Sequence, residues 1–305
     1  MIGNSRALSA FISICLILLC SKALAHGFAG NRFFPATIAT DDPAVAEELS
    51  LPTVSWIKNS DGAEEISLAS EYSKRITPNF GVSFEESWSR IHAPGGPNEY
   101  GFDNLGTSFK YRFFKSDEAE TIASAGVDID WGGTGTRHLG AESFTTFTPT
   151  LFFGKGMGDL PDSLALVKPF AVTGLVGYSL PTKAHDGSDP VPQALTYGIA
   201  LEYSLPYLSA HVRDFGWPRF INHLTPIIEA SFETPVVRGN GERTTGTINP
   251  GLIWTGRYTQ IGIEANLPIN RDTAKTAGVT LQLHFFIDDL FPHSLGAPLF
   301  KESEI

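Results

Sequence analysis

Four charged residues at a spacing of two stand out as residues that could do chemistry. Lys110 and Arg112 lie in one extended segment, and Asp128 and Asp130 lie in the next. Residues i and i+2 of a strand share a face, so a tight turn between the segments would make the two pairs cross-strand neighbours. The pattern predicts either a charged constriction that filters solutes or an ion-pair ladder that fills a closed interior.

A second charged group precedes these residues in the chain. A turn at residues 77–79 would set Glu71 close to Glu85, with Arg75 near enough to compensate their charge. Any aqueous interior lined by these acids would favour cations over anions. Three further acids on the polar faces of later segments strengthen that expectation: Glu202, Glu229 and Glu264.

Enzymatic chemistry has weaker support in the sequence. The chain contains no G-x-S-x-G elbow, and His223 and His284 fall on the polar faces of their segments. The histidines form neither a helical i, i+4 pair nor a metal-like cluster. We therefore predict no catalytic residue, no metal site and no cofactor, although an outer-membrane enzyme is a rival class.

The elements that would position these residues are short alternating strands. Apolar and polar residues alternate in about twelve segments, so that one face meets an apolar phase and the other meets water. Trp and Tyr near the strand ends are typical of an aromatic girdle, although a soluble β-sandwich would also alternate. The segments are 53–58, 64–76, 79–91, 104–115, 121–132, 145–155, 169–180, 194–205, 221–233, 246–256, 258–268 and 277–287.

The start of the chain predicts export. Arg6, an apolar run and Ala23-Leu24-Ala25 fit a secretory signal over residues 1–25, so the mature chain would begin at His26. Cleavage removes two basic residues and no acidic one, so the formal charge changes from 22 − 33 = −11 to 20 − 33 = −13. An acidic exported chain is a poor candidate for nucleic-acid binding. Both cysteines lie within the signal, so the mature chain has no disulfide.

The connections between the segments distinguish a barrel from a sandwich. Outside the signal, no apolar run approaches the length of a transmembrane helix, so a membrane form must be a closed β-barrel. The even connections tend to be short and the odd ones long, as outer-membrane barrels require. Two longer even connections, 156–168 and 206–220, predict short helices at the periplasmic rim. Asp42 and Pro43 predict another short helix before the first strand.

Four stretches of the chain resemble a family of exported proteobacterial proteins. HGFAGNRFFPATIATDDPAVAEELSLPTVSW, EYSKRITPNFGVS, KPFAVTGLVGYSLP and EYSLPYL are similar to the outer-membrane barrels named after the meta-pathway of phenol degradation. The resemblance covers nearly the whole mature chain, and it rests on structural residues rather than on a catalytic signature. It implies passage of small, aromatic molecules across the outer membrane.

Taken together, these features predict an all-β, antiparallel transmembrane barrel of about twelve strands with short N-terminal and rim helices. The expected partners are outer-membrane lipid, small-molecule solutes and the barrel-assembly machinery. Passive passage of solutes is the first hypothesis, and a non-conducting structural or binding barrel is the second. The predicted divisions are a signal at 1–25, a periplasmic segment or plug at 26–52, a barrel at 53–287 and a periplasmic tail at 288–305.

Overall fold

The computed structural model describes residues 27–239 and 241–300, so the predicted signal and His26 lie outside the described residues. Its main element is one antiparallel sheet in which every strand pairs with its sequence neighbour and the last pairs with the first. Counting only strands that span the wall, the described chain has twelve: β1 Glu48–Lys58, β2 Glu64–Thr77, β3 Phe80–His92, β4 Leu105–Ser116, β5 Thr121–Trp131, β6 Thr146–Gly156, β7 Phe170–Pro181, β8 Gln193–Tyr203, β9 Leu224–Val237, β10 Thr245–Thr255, β11 Thr259–Pro268 and β12 Thr276–Phe286.

The barrel closes through β1 and β12. Leu281 pairs with Val54 and Phe285 pairs with Leu49, so neither strand leaves an unpaired edge at this seam. Closure satisfies the backbone polar groups that an open sheet would expose to lipid. The predicted all-β barrel is therefore confirmed. No helix within the described ranges is long and apolar enough to cross a bilayer.

The two faces of the wall have opposite chemistry. On β12, Leu281 is exposed on the outside, whereas Thr280, Gln282 and His284 are buried inside. Ile199 on β8 and Ile261 on β11 extend the outer apolar surface. This arrangement is the reverse of a soluble protein, because the apolar row meets the surroundings and the polar row meets the interior. Exposed aromatic residues lie near both ends of the strands: Trp56, Tyr100 and Trp131 at one end, and Tyr111, Trp217 and Tyr258 at the other.

The connections differ between the two ends of the barrel. The end that carries the first and last described residues, 27 and 300, is here called the turn end and has the short turns 78–79 and 117–120. Its longer connections contain the helical turns Asp162–Val167, Leu205–Tyr207 and Leu208–Val212, which confirms the short helices predicted there. Another turn, Ile221–His223, replaces the start of the strand predicted at 221–233. The opposite end, here called the loop end, carries the connections 59–63, 93–104, 132–145, 182–192, 238–244 and 269–275.

The predicted helix after Asp42 is wrong. Residues 43–47 contain no helix, and β1 begins at Glu48, five residues before the predicted boundary. The Asp42 side chain instead accepts a hydrogen bond from Ala44 N at 2.6 Å. Two carbonyl groups that a helix would use are bound by the wall, since Lys110 Nζ donates to Asp42 O at 2.8 Å and Ser124 Oγ donates to Pro43 O at 2.5 Å. Contacts to the barrel therefore replace local helical hydrogen bonds.

The end of the chain folds back onto the turn end. Phe286 ends β12, one residue before the end of the predicted segment, and its ring points inward against Phe33 at a centroid distance of 6.0 Å. Alternation would place the next residue, Ile287, on the outer face, but it is buried at the start of a helical turn, Ile287–Leu290. Further on, Phe300 N donates to Ile76 O at 2.8 Å, so the described part of the tail lies along the end of β2.

Candidate functional site

Residues 27–47, here called the plug, lie inside the turn-end half of the barrel. The plug begins with a ribbon in which Phe28–Ala29 pairs with Arg32–Phe33. Gly30 makes the tight turn of this ribbon with a φ of 61°, a conformation that glycine adopts without steric cost. Gly30 N donates to Asp117 Oδ1 at 2.8 Å, and this bond lowers the pKa of Asp117, with Lys115 contributing in the same direction.

Arg32 fixes the ribbon to three connections of the turn end. Its fully buried guanidinium donates to Glu120 Oε2 at 3.2 Å and to Pro169 O at 3.0 Å, and it also binds Lys168 O. The guanidinium lies 3.9 Å from the ring centroid of Tyr207. Burial raises the pKa of Tyr207 to about 12, so its hydroxyl keeps its proton and donates to Glu120 Oε1 at 2.9 Å. The buried charge of Arg32 is therefore balanced by the Glu120 carboxylate and by two backbone carbonyl groups.

Glu229 of β9 holds the middle of the plug. Its carboxylate accepts from Ile38 N at 2.7 Å, Ala39 N at 3.0 Å and Thr40 N at 2.7 Å, and also from Thr40 Oγ1 at 2.7 Å. Three successive backbone N–H groups around one anion form the concave arrangement called a nest. Gln260 adds a bond from Nε2 to Ala36 O at 2.6 Å. These contacts attach the plug to the wall far from Arg32.

The predicted ladder of Lys110, Arg112, Asp128 and Asp130 is wrong. The register around the turn at 117–120 places Lys110 opposite Gly126 and Arg112 opposite Ser124, whereas Asp128 and Asp130 lie opposite Ser108 and Gly106. Residues equidistant from a turn become partners, and the two charged pairs are at unequal distances from it. The acids therefore lie nearer the loop end than the cations do.

Each of these cations has another role. Lys110 Nζ donates to Asp41 Oδ2 of the plug at 2.6 Å, and Arg112 Nη2 donates to Asn79 Oδ1 at the turn end, also at 2.6 Å. Arg75 binds Glu47 of the plug and so does not compensate the predicted acidic pair. The register confirms that Glu71 lies directly opposite Glu85. Lys110, Arg75 and Arg112 therefore bind the plug or a turn, whereas Glu71, Glu85, Asp128 and Asp130 face the interior.

Two of the cavities inside the barrel adjoin each other beside the plug. The outer cavity, about 500 Å³, lies between the plug and the loop end, and its wall includes Glu71, Glu85, Asp128 and Asp130. The inner cavity, about 70 Å³, lies beside the plug and touches Lys110. Six residues line both cavities and so form their shared boundary: Thr37, Asp41, Ser50, Glu71, Ser83 and Gln282.

A serine, a histidine and a carboxylate meet at the inner cavity, which the sequence pattern did not indicate. Ser50 Oγ shares a hydrogen bond of 2.9 Å with His284 Nδ1, and His284 Nε2 lies 3.6 Å from Glu48 Oε2. Acyl transfer also needs donors that stabilise an oxyanion. Asp42 and Glu71 line the same small cavity, and their carboxyl groups oppose a developing negative charge there. The arrangement therefore favours a structural contact between β1 and β12.

The closed wall, the outward apolar face and the filled interior define a barrel of the outer-membrane class. Its fold is similar to an outer membrane channel from Pseudomonas putida F1, with a TM-score of 0.50 and 13% sequence identity over 83% of this chain and 98% of the other. It is also similar to the NanC porin, with a TM-score of 0.48 and 11% identity over 77% of this chain and 98% of the other. For the KdgM porin the TM-score is 0.46, with 11% identity over 76% of this chain and 98% of the other. No family model and no curated protein matches the sequence.

Proposed function

We propose that this chain is an outer-membrane channel through which small solutes pass passively, along a path beside a stationary plug. The observation that carries this proposal is the shared boundary of the two cavities. Ser50, Glu71 and Gln282 line both of them, so the two cavities adjoin beside the plug along the wall formed by β12, β1 and β2. The fold similarity to an outer membrane channel supports the same class of function. No cofactor and no catalytic residue are needed.

A stationary plug agrees with the distribution of its contacts. Arg32 binds the turn-end connections, Glu229 binds the middle of the plug from β9, and Lys110 binds Asp41 from β4. Removal of the plug would break all three groups of bonds and leave buried charges unpaired, which is costly. The Lys110–Asp41 pair lies where the path is narrow, so we expect it to limit solute size.

The resemblance of the sequence to the phenol-degradation barrels supports small aromatic solutes as cargo. The same proposal places the mature protein in the outer membrane, with its apolar face in lipid and with assembly by the barrel-assembly machinery. In this orientation the turn end is periplasmic and the loop end is external. Cleavage of the first 25 residues belongs to the same proposal and predicts His26 as the mature N-terminus.

The second candidate function is a non-conducting barrel with a structural or binding role in the envelope. The size of the inner cavity, about 70 Å³, favours this candidate, because so narrow a space admits few solutes. Both candidates share the same wall and plug. They differ in whether the path beside Lys110 and Asp41 is open to ions and solutes.

Planar-bilayer recording of the refolded mature protein tests the proposal. We expect small, steady conductance steps from the wild type and larger steps from a variant that lacks residues 27–41. A silent wild type beside a conducting truncation would reject the channel and retain the plugged barrel. Heat-dependent migration in detergent gels would verify that both proteins fold. Swelling of liposomes in a phenol gradient would then test the aromatic cargo.

A further inference from the structure

The outer cavity has an unusually one-sided composition. Six acidic residues line it, together with many Ser and Thr hydroxyl groups: Asp41, Glu71, Glu85, Asp103, Asp128 and Asp130. Among the described residues of its wall, none is Lys, Arg or His. Carboxylates accept hydrogen bonds and donate none when ionised, and the charges on one side of a cavity wall add to a common potential. Lys110 already pairs with Asp41, and the other five acids make the wall complementary to a ligand that brings positive charge and N–H donors.

The register places three of these carboxyl groups in one row. Glu71 pairs with Glu85, Glu85 pairs with Gly106, and Gly106 pairs with Asp130, so the row crosses four neighbouring strands. Strands lie about 4.8 Å apart, so the backbones of Glu85 and Asp130 are separated by roughly 10 Å. A Cβ atom at Gly106 would lie 3.3 Å from Glu85 Cβ. The glycine therefore leaves a notch in the wall between the two acids.

Gln282 is a second and independent indication of a ligand. Only 8% of this residue is exposed, and it lines the same cavity from β12. In residues 27–239 and 241–300, no donor reaches its Oε1 atom, which is itself buried. An unpaired buried carbonyl costs free energy unless a ligand or water supplies a donor. Like the carboxylates, Gln282 Oε1 is therefore complementary to a ligand that donates hydrogen bonds.

The separation of the acids distinguishes between two kinds of cation. A bound Ca²⁺ or Mg²⁺ ion needs several oxygen ligands within about 2.6 Å. No group of three His, Cys, Asp or Glu residues in the described chain comes close enough to hold a metal ion. An extended molecule with two or more ammonium groups can instead contact acids that lie on different strands.

We propose that the outer cavity binds small organic amines that carry two or more ammonium groups, such as aliphatic diamines and polyamines. One ammonium group lies between Glu71 and Glu85, another binds Asp130, and the connecting methylene chain crosses the notch at Gly106. Gln282 accepts a further N–H bond from a longer amine. This inference rests on the proposed function, because the amine is then a second class of solute, beside the aromatic ones, that enters the path beside the plug.

Titration calorimetry of the folded mature protein in detergent tests this inference, with spermidine as the probe at fixed ionic strength. We expect saturable binding that weakens at least about tenfold in Glu85→Gln/Asp130→Asn, since each lost charged contact is a large share of the affinity. Glu118→Gln/Asp189→Asn is the matched control. It removes the same two charges from exposed connections at opposite ends and should bind like the wild type. Gln282→Met should weaken spermidine several-fold.

Three results would overturn the inference: no saturable binding, equal weakening in both double variants, or Ca²⁺ binding with equal affinity at the same site. Glu71→Gln provides a milder variant if the double substitution prevents folding, as judged by heat-dependent gel migration. The bilayer recording is a separate measurement. A barrel that conducts without binding spermidine would retain the channel alone, and one that binds without conducting would retain the cavity alone.

Discussion

Glu229 Oε2 accepts hydrogen bonds from both the backbone nitrogen and the hydroxyl group of Thr40, each at 2.7 Å. The two residues are 189 positions apart in sequence, so one contact joins the plug to the ninth strand. A single carboxylate thereby orders the turn of the plug at residues 38–40. The consequences of this relationship can be measured.

Replacing Glu229 with Gln should loosen the plug. The amide keeps one acceptor oxygen but places an NH₂ group against backbone donors, so at least one buried N–H loses its partner. We expect a loss of about 1–3 kcal/mol in the free energy of unfolding. Urea unfolding in detergent measures it, and Glu233→Gln on the same strand is the control. Equal losses in the two variants would show that the nest has no special role.

A disulfide between the plug and β8 should leave conductance unchanged. A Cβ atom built at Gly198 would lie 3.5 Å from Thr40 Cβ, within the range that a disulfide needs. Cys15 and Cys20 both precede residue 26, so Thr40→Cys/Gly198→Cys forms a single defined link in a protein that begins there. Equal conductance before and after reduction is the expected result. Channels that open only after reduction would show instead that the plug must move.

Replacing Ile199 with Arg should destabilise the barrel in lipid. Ile199 lies near the middle of β8 and is 49% exposed on the outer face, so the charge would enter the apolar part of the bilayer. A cost of about 2–4 kcal/mol is expected at the bilayer midplane. Thr196→Arg, on the inner face of the same strand, is the control. Unfolding in lipid vesicles should distinguish the two, whereas equal tolerance would argue for a soluble barrel.

The contact of Gly30 with Asp117 should weaken in acid. The pKa of Asp117 is lowered in the folded state, mainly by the Gly30 N–H, so its contribution is present above the ordinary value near 4 and is lost as pH falls through the lowered pKa. Hydrogen-exchange protection of the Gly30 amide should fall over that window. Asp117→Asn cannot titrate and should show no such step. A step retained in Asp117→Asn would assign the change to another group.

Sequence patterns predicted the wall of the barrel well. Alternation is a local property, so residues such as Leu281 and Gln282 reveal their opposite faces without knowledge of their neighbours. The turn predicted at residues 77–79 likewise gave the pairing of Glu71 with Glu85, because the two residues are equally far from that turn. The lengths of the connections also predicted which end of the barrel carries the short turns and which carries the longer loops.

The contents of the barrel could not be predicted in the same way. The partners of Lys110 and Arg75 are Asp41 and Glu47, both in a segment without strand or helix periodicity. Nothing in that segment indicates which wall residue it contacts. The Glu229 nest depends on backbone N–H groups, which every non-proline residue has and which therefore leave no signal in the sequence. One clue in the sequence was Arg32, because its charge needs an acidic partner if the side chain is buried in the barrel.

The distances along the chain between contacting residues impose an order on assembly. Residues 27–47 are synthesised before the strands that hold them, because Glu229 and Gln260 follow about two hundred residues later. The seam between β1 and β12 likewise joins the two ends of the barrel sequence. Contacts of such large separation form late, since chain entropy opposes them until the intervening structure exists. The first described segment of the chain is therefore among the last to reach its final position, and Phe28, Phe33 and Phe34 stay available for aggregation during this interval.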